Sequence, residues 1–224
     1  MPPRPHLAVK LAQKATPDDL LSKLKQSYGA SAGKGKRVEV EFRDRRASLA
    51  VSATKTLSAA EKTWVWDLFE RNMRSLYEES EDGYEAAEKR KELFHADSRF
   101  LVLYPSNTVG SSPKTPPKPL GYCIFRFDTE DTASEDDELC DVAYCYELQV
   151  DSAAQRSGVG QVLMDALERL GKAYRMDKVM LTVFKANASA VAFYSKIGFT
   201  TDEVDPSLYG QPEVDYSILS KACA

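Results

Sequence analysis

The sequence predicts an α/β protein of the α+β type, in which a mixed and mostly antiparallel sheet is flanked by helices. Apolar residues recur at spacings of three and four between residues 58 and 80, which is typical of an amphipathic helix. From Phe100 the apolar period changes to two, as in half-buried strands. Strands and helices then alternate along the rest of the sequence, and this order favours a sheet covered by helices.

Helix signals are clearest where a capping residue precedes an apolar pattern. Thr16 stands before Pro17 and two acidic residues, and Ser58 is followed by Glu61 in the spacing of a capping box. Together with the apolar periodicity, these signals predict helices over residues 16–27, 58–80, 83–95, 158–174 and 187–197.

Strand signals begin in the middle of the chain. The alternating runs "RFLVLY" (99–104) and "LGYCIFRFD" (120–128) are joined by a Pro/Ser-rich loop, so we expect a hairpin. Further strands are predicted over residues 141–150, 177–184, 198–205 and 213–220.

One domain is expected to account for most of the chain. Its 224 residues, 43% of them hydrophobic, suffice for one sizeable core, or one domain with a small appendage. We assign residues 58–224 to this domain. Residues 1–57 are expected to form an N-terminal helix and a basic linker or strand region that packs on it, with a flexible linker over residues 28–37.

Composition argues against several classes of protein. No apolar run approaches the roughly 18 residues of a membrane span, and the first residues lack the apolar core of a signal peptide, so we expect an intracellular protein. The four cysteines show no metal-ligand spacing and are expected to be free thiols, with neither disulfide nor zinc. Residues 128–141 are densely acidic, and they either attract a cationic ligand or form a solvated loop.

A glycine-containing turn stands where a strand passes into a helix. In "QRSGVGQ" (155–161), Gly158 and Gly160 would let the main chain approach an anion, which the unpaired N–H groups of the following helix would bind. The spacing matches neither a P-loop nor the dinucleotide-binding glycine pattern. The turn therefore indicates a phosphate site, with a simple tight turn as the alternative.

A second motif follows this turn at a suitable distance. The stretch "FKANASAVAFYSKIGF" (184–199) places an asparagine before a helix that carries Tyr194 and ends at Gly198. The two motifs together resemble those of the GNAT superfamily of N-acetyltransferases, which implies the GNAT fold, acetyl-CoA as co-substrate and no metal. By this resemblance the cofactor-binding residues are Leu148, Gln149, Val150, Arg156, Ser157, Gly158, Val159, Gly160, Gln161 and Asn187.

Four further strings narrow the resemblance. They are "NMRSLYEESEDGY", "FRFDTE", "YCYELQV" and "KVMLTVFKANASA", and they look like the N-alpha-acetyltransferase D family over roughly residues 64–220. The resemblance implies acetylation of the N-terminal α-amine of histone H4 and histone 2A, which begin Ser-Gly-Arg-Gly. It also implies activity without an auxiliary subunit, histone tails as partners, no membrane, no specific nucleic acid, and residence in cytoplasm and nucleus.

Other functions stay open at this point. The acceptor of a GNAT enzyme can also be a lysine or a small amine. A non-catalytic module that binds acyl-CoA or histone tails would carry much of the same pattern.

Amine acetylation assigns roles to two further residues. A neutral α-amine attacks the thioester, so a modest base suffices, and we assign this role to Glu147 acting through a water. Alternation places Glu147 on the sheet face of Cys145 and Gln149 unless a bulge re-aims it; the alternative is a structural glutamate paired with a basic neighbour. Tyr194 occupies the superfamily's usual general-acid position, although the narrower family does not reliably keep a tyrosine there, and core packing is the alternative.

The narrower resemblance also implies an acceptor site. Asp128 and Glu130 match an acidic pair that would bind the substrate arginine, since two carboxylates hold a guanidinium in bidentate geometry. The family has a tryptophan in the wall of its substrate pocket where this sequence has Asp82, so that Asp82 or Tyr84 would replace it there. The remaining implied substrate contacts are Tyr77, Tyr144, Tyr146, Thr182 and Tyr216.

Overall fold

The computed structural model describes residues 6–29, 35–43, 45–81, 83–106, 117–134 and 138–223. Its helices are α1 (Leu7–Gln13), α2 (Pro17–Ser27), α3 (Ala59–Glu78), α4 (Ala86–Leu93), α5 (Val159–Ala173) and α6 (Ala188–Lys196). Its strands are β1 (Val38–Phe42), β2 (Arg45–Ala53), β3 (Arg99–Pro105), β4 (Gly121–Asp131), β5 (Leu139–Val150), β6 (Lys178–Phe184), β7 (Thr200–Thr201) and β8 (Tyr216–Ala222).

These strands form one sheet in the order β1-β2-β3-β4-β5-β6-β8-β7. Neighbouring strands are antiparallel except β5 and β6, which run parallel. The predicted class, a mixed and mostly antiparallel sheet with flanking helices, is confirmed. The expected hairpin of β3 and β4 is confirmed as well.

Helices cover both faces of this sheet. Side chains of α1, α2 and α5, such as Val9, Leu24 and Leu163, pack on one face in the larger apolar core. On the other face, Phe69 of α3 and Leu93 of α4 pack over the central strands. The central strands are therefore buried from both sides.

The N-terminal region contributes more to the sheet than its sequence predicted. Helix α2 is confirmed with Thr16 as its cap, and the structure adds a capping box between Thr16 and Asp19. Helix α1 was not predicted, because it has neither a side-chain cap nor an acidic residue in its first turn. Strands β1 and β2 extend the sheet beyond β3, and residues 30–34 of the predicted linker lie outside the described residues. The domain boundary after residue 57 stays a prediction.

The prediction of a strand over residues 198–205 was wrong for most of its length. Only β7, two residues long, pairs with β8. In the loop that follows, backbone amides donate hydrogen bonds to aspartate side chains instead of to a neighbouring strand. The Asp202 side chain accepts a hydrogen bond from the Val204 amide at 3.1 Å. The Asp205 side chain accepts hydrogen bonds from the amides of Ser207 and Ile218, at 3.0 and 2.6 Å.

Two further properties concern the chemical character of the chain. All four cysteines are free thiols. Within the described ranges, no helix combines the length and the apolar character needed to cross a bilayer.

Candidate active site

A cleft opens where β5 and β6 separate. The two strands pair from Val142 to Cys145 on β5 and from Lys178 to Leu181 on β6, and their pairing stops there. Beyond this point lies a cavity of about 360 Å³. Sequence-predicted residues that line it are Tyr77, Glu130, Tyr144, Tyr146, Glu147, Leu148, Gln149, Thr182, Asn187 and Tyr194.

A β-bulge at Tyr146 aims Glu147 into this cavity. On β4, Phe125 pairs with Cys145 but its neighbour Ile124 pairs with Glu147, so Tyr146 is the extra residue. Directly opposite residues share a sheet face, which places Glu147 with Ile124 on the face covered by α3 and α4. Simple alternation, which placed Glu147 on the face of Cys145 and Gln149, fails for Cys145, which packs in the core on the other face. The bulge named as the alternative is present, and Glu147 remains beside Gln149.

Glu147 is buried and fully partnered. One of its carboxylate oxygens lies 3.0 Å from Lys89 Nζ, and the other accepts a hydrogen bond from the Gln149 side chain at 2.7 Å. Lys89 is buried as well, and it also donates to the Tyr77 hydroxyl at 2.6 Å and to Glu92 at 2.8 Å. Two carboxylates thus surround a single ammonium group at the base of the cavity.

Burial and neighbouring charges together shift the pKa values of Glu147, Lys89 and Tyr77. Burial raises the pKa of the Glu147 carboxyl above its ordinary value, and the attraction of Lys89 and the bond from Gln149 offset this rise only in part. Burial would lower the pKa of Lys89, but the negative charge of Glu147 and its other neighbours outweighs burial and raises it. Burial also raises the pKa of Tyr77 to about 12. Glu147 is therefore a more basic carboxylate than usual, beside a permanent cation.

The outer wall of the cavity carries hydroxyl and acidic groups. The Tyr144 and Thr182 hydroxyls lie 2.6 Å apart, and the rings of Tyr144 and Tyr146 have centroids 5.0 Å apart. Glu130 lines this wall, and burial, followed by repulsion from nearby acidic residues that include Asp128, raises the pKa of its carboxyl.

Three acceptor-site predictions fall beside this cavity rather than on its lining. Asp128 lies two residues before Glu130 on β4 and so shares its sheet face. Tyr216 pairs with Phe184, which does line the cavity. Tyr84 is hydrogen-bonded to Glu70 and packs against Tyr77, with ring centroids 6.2 Å apart. Asp82 lies outside the described residues.

A larger groove of about 870 Å³ runs along the other side of the same strand end. Gly158 is the N-cap residue of α5, and its φ of 101° is in the left-handed region that favours glycine. Asn187 caps α6 with its side-chain oxygen, at 3.2 Å from the Ala190 amide. The predicted cofactor residues on the groove lining are Leu148, Gln149, Val150, Arg156, Gly158, Gly160, Gln161 and Asn187.

The side chains of the other two predicted turn residues, Ser157 and Val159, make contacts within the fold. The Ser157 hydroxyl donates to the Ala154 carbonyl at 2.5 Å, and Val159 is buried in the larger core. Gly160 also has a packing role, because a Cβ there would lie 3.2 Å from the Phe193 ring. A side chain at residue 160 would therefore disturb the contact of α5 with α6.

Tyr194 stands at the junction of the cavity and the groove. It lines both, as do Leu148, Gln149 and Asn187. Its ring packs between Phe193 and Phe199. Burial, and then the nearby Cys145, Cys123 and Glu147, raise the pKa of its phenol well above the ordinary value. The hydroxyl therefore keeps its proton over the neutral pH range.

Several residues of the cleft were not found from the sequence. Lys89 lies in the charged stretch "EKRKEL", which is typical of an exposed helix, and no local signal marks it as buried. Asn72 of α3 donates to the Gln149 side chain at 2.9 Å and to the Val150 carbonyl at 3.1 Å. Arg43 and Arg71 line the groove beside the turn. These residues reach the cleft through long-range contacts that spacing along the chain does not encode.

Comparison with known proteins identifies the family. A model of the acetyltransferase (GNAT) family matches residues 64–199, more than half of the chain. Arabidopsis thaliana NAA60 in complex with a bisubstrate analogue is similar in structure, with a TM-score of 0.54 and 9% identity over 78% of this chain and 98% of that one. The NatC complex bound to Gag peptide and CoA matches with a TM-score of 0.53 and 15% identity, over 78% and 98% of the two chains.

A GNAT-family acetyltransferase from Listeria monocytogenes matches with a TM-score of 0.51 and 14% identity, over 83% of this chain and 99% of that one. At identities this low, structural similarity shows the fold alone. The family match covers the cleft, the glycine-containing turn and Tyr194. This chain belongs to the acetyltransferase (GNAT) family, whose members transfer an acetyl group from acetyl-CoA.

Proposed function

We propose that this acetyltransferase acts on the N-terminal α-amine of protein chains that begin Ser-Gly-Arg-Gly, as histone H4 and histone 2A do. The observation that carries the proposal is the tyrosine-walled cavity, with a buried carboxylate at its base and acidic residues along its wall. Such a cavity suits a small N-terminal residue with a basic side chain close behind it. The proposal extends to histone tails as partners, activity without an auxiliary subunit, and residence in cytoplasm and nucleus.

The groove fits the cofactor of the family. Left-handed Gly158 is the N-cap of α5, so the unpaired N–H groups of the first helical turn point out of the helix at the groove. Arg156 adds a positive charge beside them. Acetyl-CoA supplies the activated acetyl thioester when bound. The shared lining of groove and cavity would bring that thioester next to the acceptor amine.

Glu147 is the proposed general base. An α-amine has a pKa near 8, so a large part of it is protonated at neutral pH and must lose a proton before it attacks. The raised pKa of Glu147 makes its carboxylate a better proton acceptor than an exposed glutamate. Lys89 holds this carboxylate in place through the 3.0 Å ion pair, and we assign it a positioning role. Because both carboxylate oxygens are partnered, a water would carry the proton to Glu147.

Tyr194 is the proposed proton donor to the departing thiolate. Tyr194 lies where the cavity and the groove meet, and the leaving sulfur would lie next to this junction. Its phenol makes no hydrogen bond to another described residue, so its proton is available. The raised pKa keeps the phenol protonated at neutral pH, so that it can donate its proton through a hydrogen bond to the sulfur as negative charge develops there.

Asp128 and Glu130 are the proposed partners of the substrate arginine. They lie on one sheet face, with Glu130 on the cavity lining and Asp128 beside it, and neither forms an ion pair with a described lysine or arginine. A guanidinium can bridge two such carboxylates, which would also relieve the repulsion between them.

A single mass-spectrometric experiment tests the acceptor. The protein is incubated with acetyl-CoA and a lysine-containing peptide that begins Ser-Gly-Arg-Gly, alongside the same peptide with a blocked N-terminus. We expect acetylation of the free peptide on its α-amine and no acetylation of the blocked one. Acetyl groups on the lysines of both peptides would identify a lysine acetyltransferase instead. Binding of the free peptide without any acetylation would indicate a non-catalytic module.

A further inference from the structure

The hairpin of β1 and β2 meets the glycine-containing turn. It lies outside the segment that the family model matches, residues 64–199. Phe42 and Arg43 lie at the tip of the hairpin. If Gly158 carried a Cβ, the atoms nearest to it would belong to these two side chains, at 3.1 and 3.3 Å. The tip therefore packs directly against Gly158, the N-cap residue of α5.

Arg43 is fixed against the turn by its backbone and by its side chain. Its φ of 44° is in the left-handed region, which non-glycine residues seldom adopt. Its Nη1 donates a hydrogen bond to the Arg156 carbonyl at 2.9 Å. The guanidinium group is thus attached to the turn itself, and its place depends on the turn and the hairpin together.

Toward the described residues, the Arg43 side chain forms one of the several hydrogen bonds that it can donate. A guanidinium has five N–H donors, and one bond to Arg156 is formed. Among the described residues, no carboxylate lies within ion-pair distance of this side chain. Arg43 nevertheless lines the groove, so its guanidinium lies beside the space that the cofactor would occupy.

The charge of the groove lining fits a phosphorylated ligand. Arg71, Arg156 and Lys196 also line it, and of these Arg71 has a distant partner in Asp151, at 3.8 Å. Acetyl-CoA carries a pyrophosphate and a 3′-phosphate, and guanidinium groups bind phosphate oxygens through charge-assisted hydrogen bonds.

From this arrangement we propose that Arg43 binds a phosphate group of acetyl-CoA, so that the N-terminal hairpin forms part of the cofactor site. The proposal needs only the family's use of acetyl-CoA and is independent of the acceptor. Both the pyrophosphate and the 3′-phosphate present the same chemistry to a guanidinium. The experiment therefore includes a ligand that lacks one of them.

The test compares Arg43→Gln with Arg46→Gln. Both variants lose one positive charge from the same hairpin, but Arg46 pairs with exposed Glu41 at 2.9 Å and does not line the groove. Calorimetry gives the Kd of each protein for CoA and for 3′-dephospho-CoA, at low and at moderate salt. For Arg43→Gln we expect CoA to bind on the order of tenfold more weakly, as for a lost charge-assisted hydrogen bond. Arg46→Gln should bind as the unchanged protein does.

The ligands separate the two phosphates. A loss for CoA that disappears with 3′-dephospho-CoA assigns the contact to the 3′-phosphate. An equal loss for both ligands, with a weaker salt dependence of Kd than in the unchanged protein, assigns it to the pyrophosphate, because an ionic contact is screened by salt.

Three outcomes overturn the proposal. The first is unchanged CoA binding by Arg43→Gln. The second is an equal loss for both ligands with an unchanged salt dependence, which would mean that the hairpin acts through its packing on Gly158. The third is an equal loss in Arg46→Gln, which would mean that only the net charge of the hairpin matters.

Discussion

The two ends of the cleft hold their charged groups in opposite ways. At the acceptor end, Glu147 and Lys89 are buried and neutralise each other. At the cofactor end, Arg43 and Arg156 are exposed, and neither forms an ion pair with a described residue. A buried charged group needs a partner within the protein, whereas an exposed charged group is solvated by water and can be left unpaired until a ligand binds. Under the proposed function, the first end would hold the groups for proton transfer in fixed positions, and the second would bind a charged ligand from water.

The largest effect is expected from breaking the buried pair. Lys89→Met would leave Glu147 buried without its cation, and we expect a loss of about 3–5 kcal/mol in the free energy of unfolding. Lys91→Met on the same helix is the matched control, because its pair with Glu88 is exposed and surface pairs contribute about 0–1 kcal/mol. Chemical denaturation of both variants measures the difference.

The pH dependence of this loss has a definite sign. Burial raises the pKa of Glu147, and without Lys89 nothing comparable opposes the rise. A carboxyl whose folded-state pKa is raised binds its proton more tightly in the folded state, so stability increases as pH falls through that pKa. The deficit of Lys89→Met should therefore shrink in mildly acidic solution. A deficit independent of pH would mean that lost packing of the lysine stem, and not an unpaired carboxylate, causes it.

The next largest effect concerns the junction of the two ends. Tyr194→Phe keeps the ring between Phe193 and Phe199 but removes the hydroxyl. If the phenol protonates the leaving thiolate, kcat should fall by about 10²-fold with little change in the thermal midpoint or in CoA affinity. Tyr174→Phe, on a half-buried tyrosine that packs on Phe127, is the control. A kcat close to that of the unchanged enzyme would make Tyr194 a packing residue.

The smallest effect is expected from replacing Glu130 or Asp128, the acidic pair at the proposed acceptor cavity. Glu130→Gln should lower kcat/KM by about tenfold on a peptide beginning Ser-Gly-Arg-Gly, and much less on one beginning Ser-Gly-Ala-Gly. Asp128→Asn should have a weaker effect, because Glu130 lines the cavity and Asp128 lies beside it. The two peptides and each variant form a double-mutant cycle. Additive losses would show that these carboxylates do not contact the arginine.

The same contrast explains what could be predicted from the sequence. At the cofactor end, the turn at residues 155–161 and the capping asparagine carry their signals in a few consecutive residues, and the family resemblance that these motifs support predicted much of the groove lining, though not Arg43 or Arg71. The acceptor end combines α3, α4, β4, β5 and β6. Its tyrosines came from the family resemblance, whereas the pairing of Lys89 with Glu147 joins residues far apart in the chain.

Other omissions have physical causes of their own. The bulge at Tyr146 leaves no trace in an alternating strand, yet it decides which face Glu147 takes. Strand β1 did carry a signal, since buried Val38 and Val40 alternate with exposed Glu39 and Glu41. Reading that alternation would have found the first strand of the hairpin that carries Arg43 at its tip.

The most direct test of the catalytic account is a pH–rate profile of Glu147→Gln beside the unchanged enzyme, on a peptide beginning Ser-Gly-Arg-Gly. Glu88→Gln, on an exposed glutamate of α4, is the control. We expect kcat of Glu147→Gln to be lower by roughly 10²–10⁴-fold at neutral pH, with unchanged CoA affinity, and to recover partly as the pH rises past the α-amine pKa of about 8. In the unchanged enzyme, kcat should fall in acid as Glu147 takes up its proton. A variant that keeps the unchanged kcat and profile at neutral pH would contradict the assignment of Glu147 as the base.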